Sequence, residues 1–400
     1  MKRYVKSLIL ILFVISFLTG CWNRRELNEL AIAMGMGIDK VGDRYRVSIQ
    51  VVNPKEVTAD KGGGLAPAIL YTEEGDTVIE AIRRMSILSP RKIYISHLRM
   101  LLIGETLAKE GIAESLDLMY RDHEFRSDYY LVVTHDSTPE EVLKVLTPLE
   151  KVPANKLFAT LETSEKYWSP SLTETLDEVI RDLISDGKHP VLSGLLIEGD
   201  REVGATQKNV ENIYTPTELK GSMLAAFKKD KMIGWLSENE SKGFNYIRGN
   251  VKSTVGHVDY PGGGKVVLET IRTKSDIKGH VEEGKPRVKI TIHSEHNVAE
   301  VEARNVELES QETIKNIEQA AEAKIKLLME SAIKKAQKTF RSDIFGFGEA
   351  IRQADPKAWK EMRNDWDERY FTELLVDFDI NIKIRKFGKA SDSFLNYIKE

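Results

Sequence analysis

The chain is short of cysteine: Cys21 is the only one in 400 residues. A single thiol excludes an intramolecular disulfide framework and any cysteine-rich zinc site. Basic charge is not in excess either. Lys and Arg number 58 against 62 Asp and Glu, a net of −4, so no global positive field points to nucleic acid. No apolar run reaches the ~20 residues that a membrane-spanning helix needs. No internal repeat stands out, and 27 Gly with 12 Pro are too few for a collagen-like or low-complexity chain. What is present is ordinary: 41% hydrophobic and 30% charged residues, enough to bury a sizeable core. At roughly 150 residues per domain, this length predicts two or three domains.

The first residues read as a leader rather than as fold. Lys2, Arg3 and Lys6 precede the apolar run Ser7 to Leu18, and the small residues Thr19 and Gly20 follow. That order is the pattern of a secretory signal peptide over residues 1–20. The junction Leu18-Thr19-Gly20-Cys21 resembles the lipobox of bacterial lipoproteins, with cleavage between Gly20 and Cys21 and a diacylglyceryl group on the Cys21 thiol. Each buried CH₂ contributes about 0.8 kcal/mol and one acyl chain holds only marginally, so two or three chains on one residue are what anchor stably. Removing residues 1–20 leaves 55 basic against 62 acidic residues, a net of −7.

The rest divides by texture. Leu30 to Asp39 is apolar and interrupted by glycine, which reads as a buried strand with a bulge. Tyr45, Val47, Ile49 and Val51 alternate with polar residues and give its hairpin partner. Thr138, Pro139 and Glu141 spell a capped helix start. Strand and helix patterns alternate to about residue 200, so residues 21–200 are expected to form an α/β region, with a helical subdomain near 138–187. Residues 201–217 are polar and turn-rich and are expected to be a linker. Residues 218–395 read as an α+β domain. It holds a hairpin around Lys228 to Lys231, short strands from Val266 to Ile292, and a closing strand at Val376 to Ile384. A long helix carries Ile314, Ile317, Ala321, Ile325 and Leu328 on one stripe. The expected class is mixed α/β and α+β, multidomain, with a C-terminal antiparallel sheet packed by long helices.

Catalytic and metal constellations are hard to find. Pro261-Gly-Gly-Gly-Lys265 lacks the glycine spacing of a phosphate loop, and Val266 stands where that loop has Ser or Thr. It reads as a surface hairpin loop. His293 and His296, three apart on a strand, point to opposite faces and read as unrelated surface histidines. His97, on an apolar stretch, reads as a satisfied core or edge residue. No Gly-x-Ser-x-Gly elbow occurs. No catalytic residue, metal ligand or cofactor is expected.

Three stretches carry a family resemblance. The first is Cys21-Trp-Asn-Arg-Arg-Glu-Leu running into the glycine-rich strand that ends at Asp39. The second is Ser96-His97 ahead of Ile103-Gly104-Glu105 and Gly111-Ile112. The third is Phe340-Arg-Ser-Asp-Ile-Phe-Gly-Phe-Gly348, then Trp359 and Trp366 before the last strand. In order and spacing they resemble the Ger(x)C family of spore-germination lipoproteins, the C subunits of nutrient germinant receptors. The resemblance implies a non-enzymatic protein on the outer face of the inner spore membrane, assembled with A and B subunits. It implies several α/β domains of unusual topology, and a role for Cys21 as the site of lipid attachment.

For partner contact the segment Asp343 to Gly348 is the expected place: Phe345 and Phe347 between glycines suit a docking loop or, equally, a buried corner. Trp359 and Trp366, seven apart, suit a core or a partner-facing aromatic patch. The alternative to a receptor subunit is a solute-binding lipoprotein of a transporter, which would show two similar α/β lobes with a ligand between them.

Overall fold

The computed structural model describes residues 3–6, 26–58, 65–261, 263–304 and 306–386. The apolar run Ser7 to Leu18, Gly20, Cys21 and the chain beyond 386 lie outside the described residues.

Thirteen strands are seen among the described residues, in two sheets. The first sheet contains β1 (Leu30–Val41), β2 (Arg44–Val52), β3 (Ala68–Gly75), β4 (Lys92–Tyr94), β5 (Met100–Ile103), β6 (Tyr130–Thr134), β7 (Val191–Gly199), β8 (Thr217–Lys228) and β9 (Lys231–Leu236). Their order is β3-β2-β1-β5-β6-β7-β8-β9, with the short β4 also on β1. The middle pairs β1–β5, β5–β6 and β6–β7 are parallel, and the outer pairs are antiparallel. The expected bulge in β1 is present as a register shift between Ala33 and Gly35. The apolar stretch that holds His97 is broken into two short strands, because a turn at Ser96-His97 separates β4 from β5.

Central parallel strands are buried on both faces, so successive residues enter different cores. Met100 and Leu102 of β5 face one cluster with Leu143, Leu157 and Leu161. Leu101 and Ile103 face the other, with Leu107, Leu116, Leu176 and Val179. The helices Pro139–Lys144, Pro153–Tyr167 and Leu176–Leu183 therefore cover opposite faces of one sheet. They do not form the separate helical subdomain expected near 138–187. Their starts are as the sequence implies: Thr138 and Glu141 form a capping box with Pro139 in the first turn. Replacing Thr138 by Ala should cost about 1 kcal/mol in urea unfolding, the usual value of a lost N-cap.

Residues 201–217 are not a free linker. They join β7 to β8, which pair with each other, and Asn209 is buried within them. Its side-chain amide donates to the carbonyls of Leu146 and Thr217, and its Oδ1 accepts from the Thr217 N–H at 2.9 Å. The hairpin expected around Lys228 to Lys231 is β8–β9, and it closes the first sheet instead of opening the second domain. β8 serves both halves. Ala225 and Phe227 pack into the core of the first sheet, and Leu224 and Ala226 into that of the second.

The second sheet has the order β10-β11-β12-β13, from β10 (Thr254–Asp259), β11 (Lys265–Glu282), β12 (Lys285–Val301) and β13 (Leu375–Lys386). The short strands expected from Val266 to Ile292 are one ribbon, 18 and 17 residues long. Its turn, Glu283-Gly284, has positive φ at both residues, as a two-residue hairpin needs. Charged residues inside the ribbon sit on its wet face and do not end it. β10 and β11 pair antiparallel, and Pro261, Gly263 and Gly264 lie between them, in keeping with the expected hairpin loop. One pairing departs from the antiparallel expectation: β13 runs parallel to β12. The chain between them leaves the sheet through the helix Gln311–Lys334 and the turns up to Glu373, and such a crossover returns a strand in the same direction. The long helix buries Ile317, Ala321, Ile325, Met329 and Ala332, so its stripe is core.

Candidate functional site: the Asp343 cage at the junction of the two sheets

The long helix ends in one wide π turn, Lys335–Phe340, and Arg341 then takes a left-handed conformation. The chain reverses into Ser342 to Gly348. Ser342 donates its hydroxyl to the Phe227 carbonyl of β8 at 2.8 Å, tying this corner to the first sheet. A short helix, Phe347–Ala354, starts immediately after. The first N–H groups of a helix have no partner within it. Here Asp343 supplies one. Its Oδ1 accepts from the N–H groups of Phe345, Gly346 and Phe347 at 3.0–3.1 Å. Its Oδ2 accepts from Gly348 at 2.7 Å and from the Trp366 indole N–H at 2.9 Å.

Asp343 is completely buried. Burial pushes its carboxyl up to about 6, against the pull of those N–H donors. Its own N–H donates to Asp367 at 3.0 Å. The other Asp367 oxygen meets His189 Nε2 at 2.7 Å, and His189 Nδ1 accepts from the Lys229 N–H. Although burial opposes it, the His189 contact holds the Asp367 carboxyl below the usual range. The relay Asp343–Asp367–His189 thus joins the third family stretch to the loop before β7 and to the β8–β9 turn.

Aromatic rings close the cage. Phe345 and Phe347 stack at 5.0 Å, and Trp359 meets Trp366 edge-on at 5.1 Å. All four side chains are buried. The reading of Phe345, Phe347, Trp359 and Trp366 as partner-facing is therefore corrected: their rings fill the core around a capped helix end, and none is offered to a partner. Sequence reasoning took Asp343 only as the start of a candidate docking segment and passed over Asp367 and His189. A signal was present in an acidic residue three positions before Gly346, ahead of a helix start, but its partner Trp366 lies 23 residues away.

The junction also holds a polar cavity of about 320 Å³. Glu174 lines it, and burial pushes this carboxyl up to about 8. Lys188 and Asp182, both nearly buried, pair at 2.7 Å beside it. Elsewhere, at the carboxyl ends of β5 and β6, Glu105, His135 and Asp136 bring ligand atoms within 4.8 Å of one another, the arrangement among the described residues nearest to a metal site. Glu105 is already engaged by Lys109 at 2.7 Å and by the Trp235 indole at 3.3 Å. The two strand histidines do face opposite ways. His293 is exposed, but His296 is buried, which corrects its reading as a surface residue. His97 is exposed on a turn against Tyr94, and is not a core residue.

Two family models match this chain. One, described as the spore germination protein N-terminal domain, covers residues 23–196. The other, described as spore germination B3/GerAC like, C-terminal, covers residues 222–388. The chain belongs to the GerAC family of spore germination proteins. Spore germination protein KC of Bacillus subtilis (strain 168) is 29% identical over the whole of both chains. Spore germination protein A3 of the same organism is 26% identical, covering 96% of this chain and 98% of its own. Spore germination protein B3, also from that strain, is 24% identical over 94% of this chain and 96% of its own. The crystal structure of the GerBC protein shares the fold, with a TM-score of 0.52 at 20% identity over 90% of this chain and 99% of that one. The Asp343 cage lies within the C-terminal family region, and its relay partner His189 lies within the N-terminal one.

Proposed function

We propose that this protein is a lipid-anchored, non-enzymatic subunit of a membrane nutrient germinant receptor, needed for receptor assembly or signalling in spore germination. The observation that carries the reading is the position of the sole cysteine. Cys21 stands at the end of a lipobox-like junction, directly ahead of a chain that belongs to a spore germination family. Among the described residues no helix is long and apolar enough to cross a membrane, so attachment through acyl chains on Cys21 supplies the tether. The body then stands on the outer face of the inner spore membrane, beside the A and B subunits. The junction built around Asp343 ties the two sheets together through hydrogen bonds to β8 and to the loop before β7.

The alternative of a solute-binding lipoprotein fits less well. It calls for two similar lobes, whereas the sheets here have nine mixed strands and four.

Replacing Cys21 by Ala tests the proposal. The variant should move from the membrane to the soluble fraction of broken spores, and nutrient-triggered germination should fall. Full membrane retention would remove the lipid tether. Affinity capture from solubilised spore membranes should recover the A and B subunits, and their absence would count against a receptor subunit.

A further inference from the structure

A second cavity, of about 380 Å³, lies away from the Asp343 cage, between the second sheet and the helices Glu238–Arg248 and Gln311–Lys334. Its floor is apolar and buried, with Tyr246, Leu268 and Ile325 among the residues that form it. A chain of hydroxyl and imidazole groups runs under it. The Tyr246 hydroxyl meets Thr270 at 3.3 Å, and Thr270 meets His296 Nδ1 at 3.2 Å. His296 Nε2 meets the Ser294 hydroxyl at 2.9 Å. Burial drives the His296 imidazole down to about 4, so it is neutral at pH 7 and adds no charge to the floor.

The mouth is different. The Trp168 indole is 45% exposed there. Lys242 Nζ sits 3.6 Å from the centre of that ring, with a side chain only 12% exposed, and also reaches Glu238 at 3.0 Å. Lys324 lines the same mouth, is exposed, and has no ion-pair partner among the described residues. Lys242 and Lys324 line the wall together with His257 and the buried His296, and no carboxylate is among the lining residues. In a chain with more acidic than basic residues, that one-sided lining stands out from the average surface.

Apolar pockets with a few convergent polar groups are the usual form of a small-molecule site, and the sign of those groups selects the ligand's charge. We propose that this cavity binds a small aromatic carboxylate, with its ring against Trp168 and Tyr246 and its carboxylate between Lys242 and Lys324. A neutral or cationic ring of the same size loses the two charge-assisted contacts.

The test uses the purified full chain and three probes that differ only at the polar end: phenylacetate, phenylacetamide and phenethylamine. Saturation-transfer NMR and calorimetry should show saturable binding of phenylacetate, binding of the amide weaker by about tenfold or more because it loses the charge assistance at both lysines, and no binding of the amine. Lys324→Glu places a carboxylate on an exposed helix position. It should leave the melting temperature unchanged and weaken phenylacetate binding by about tenfold or more. Absence of saturable phenylacetate binding would overturn the proposal. So would equal affinity for acid and amide, or phenylacetate binding that Lys324→Glu leaves untouched.

Discussion

Asp343→Asn should unfold in markedly less urea than the natural protein. The substitution keeps the shape of the side chain but turns Oδ2 or Oδ1 into a donor. Facing the Oδ2 position are the Gly348 N–H and the Trp366 indole N–H, both of which need an acceptor. Facing the Oδ1 position are three more backbone N–H groups. Whichever way the amide turns, at least two buried donors lose their partner. Each unsatisfied donor costs about 1–3 kcal/mol, so the expected loss is about 3–5 kcal/mol. Urea titration followed by tryptophan fluorescence measures it, since Trp359 and Trp366 both lie in the cage. A change below about 1 kcal/mol would mean that the cage contributes little.

The pH dependence of the same pair carries a sign. The Asp343 carboxyl is raised to about 6 in the fold by burial, against an ordinary value near 3.8. The folded chain therefore holds this proton more tightly than the unfolded chain does. Its contribution is complete below the unfolded value and is lost as pH rises through about 6. Asp343→Asn removes this titration, so its stability should change less between pH 4 and pH 7 than that of the natural protein. Equal pH dependence of the two proteins over that interval would mean that Asp343 does not titrate there.

Gly348→Val should be the second large loss. A Cβ at this position would come within 2.7 Å of the Trp359 ring, 2.8 Å of the Gly187 backbone and 3.0 Å of the Trp366 indole nitrogen. Gly187 in turn lies against the backbone of Gly348 and Glu349, so two chain segments touch with no side chain between them. The Gly348 backbone cannot give way without breaking its bond to Asp343. Overpacking costs about 1–3 kcal/mol where side chains relax, and this site should lie at or above the top of that range. Gly256→Val is the matched control, because a Cβ there meets nothing within 4 Å. It should stay within about 0.5 kcal/mol of the natural protein in the same urea titration. Equal behaviour of the two variants would refute the close-packing argument.

Much of the fold follows local pattern. β1, β2 and β13, the Thr138 cap and the buried stripe of the long helix all rest on periodicity or on contacts within a few residues, which a sequence displays directly. The lone cysteine and its lipobox-like junction are equally local signals, and so is the leader-like pattern read ahead of them. What local pattern could not assign was membership. Whether β8 and β9 close the first sheet or open the second depends on which edge was free to pair, and polar residues 201–217 give no hint that Asn209 will be buried between them. Whether β13 enters parallel depends on the path of the helical crossover before it. The direction of Phe345, Phe347, Trp359 and Trp366 depends on Asp343 and on Gly187, which stands more than 150 residues earlier in the chain. An aromatic residue reads the same in sequence whether it meets water or a core. Its burial was decided by the long-range contacts that wrap the cage, because only the folded chain brings the donors, the carboxylate and the second glycine together.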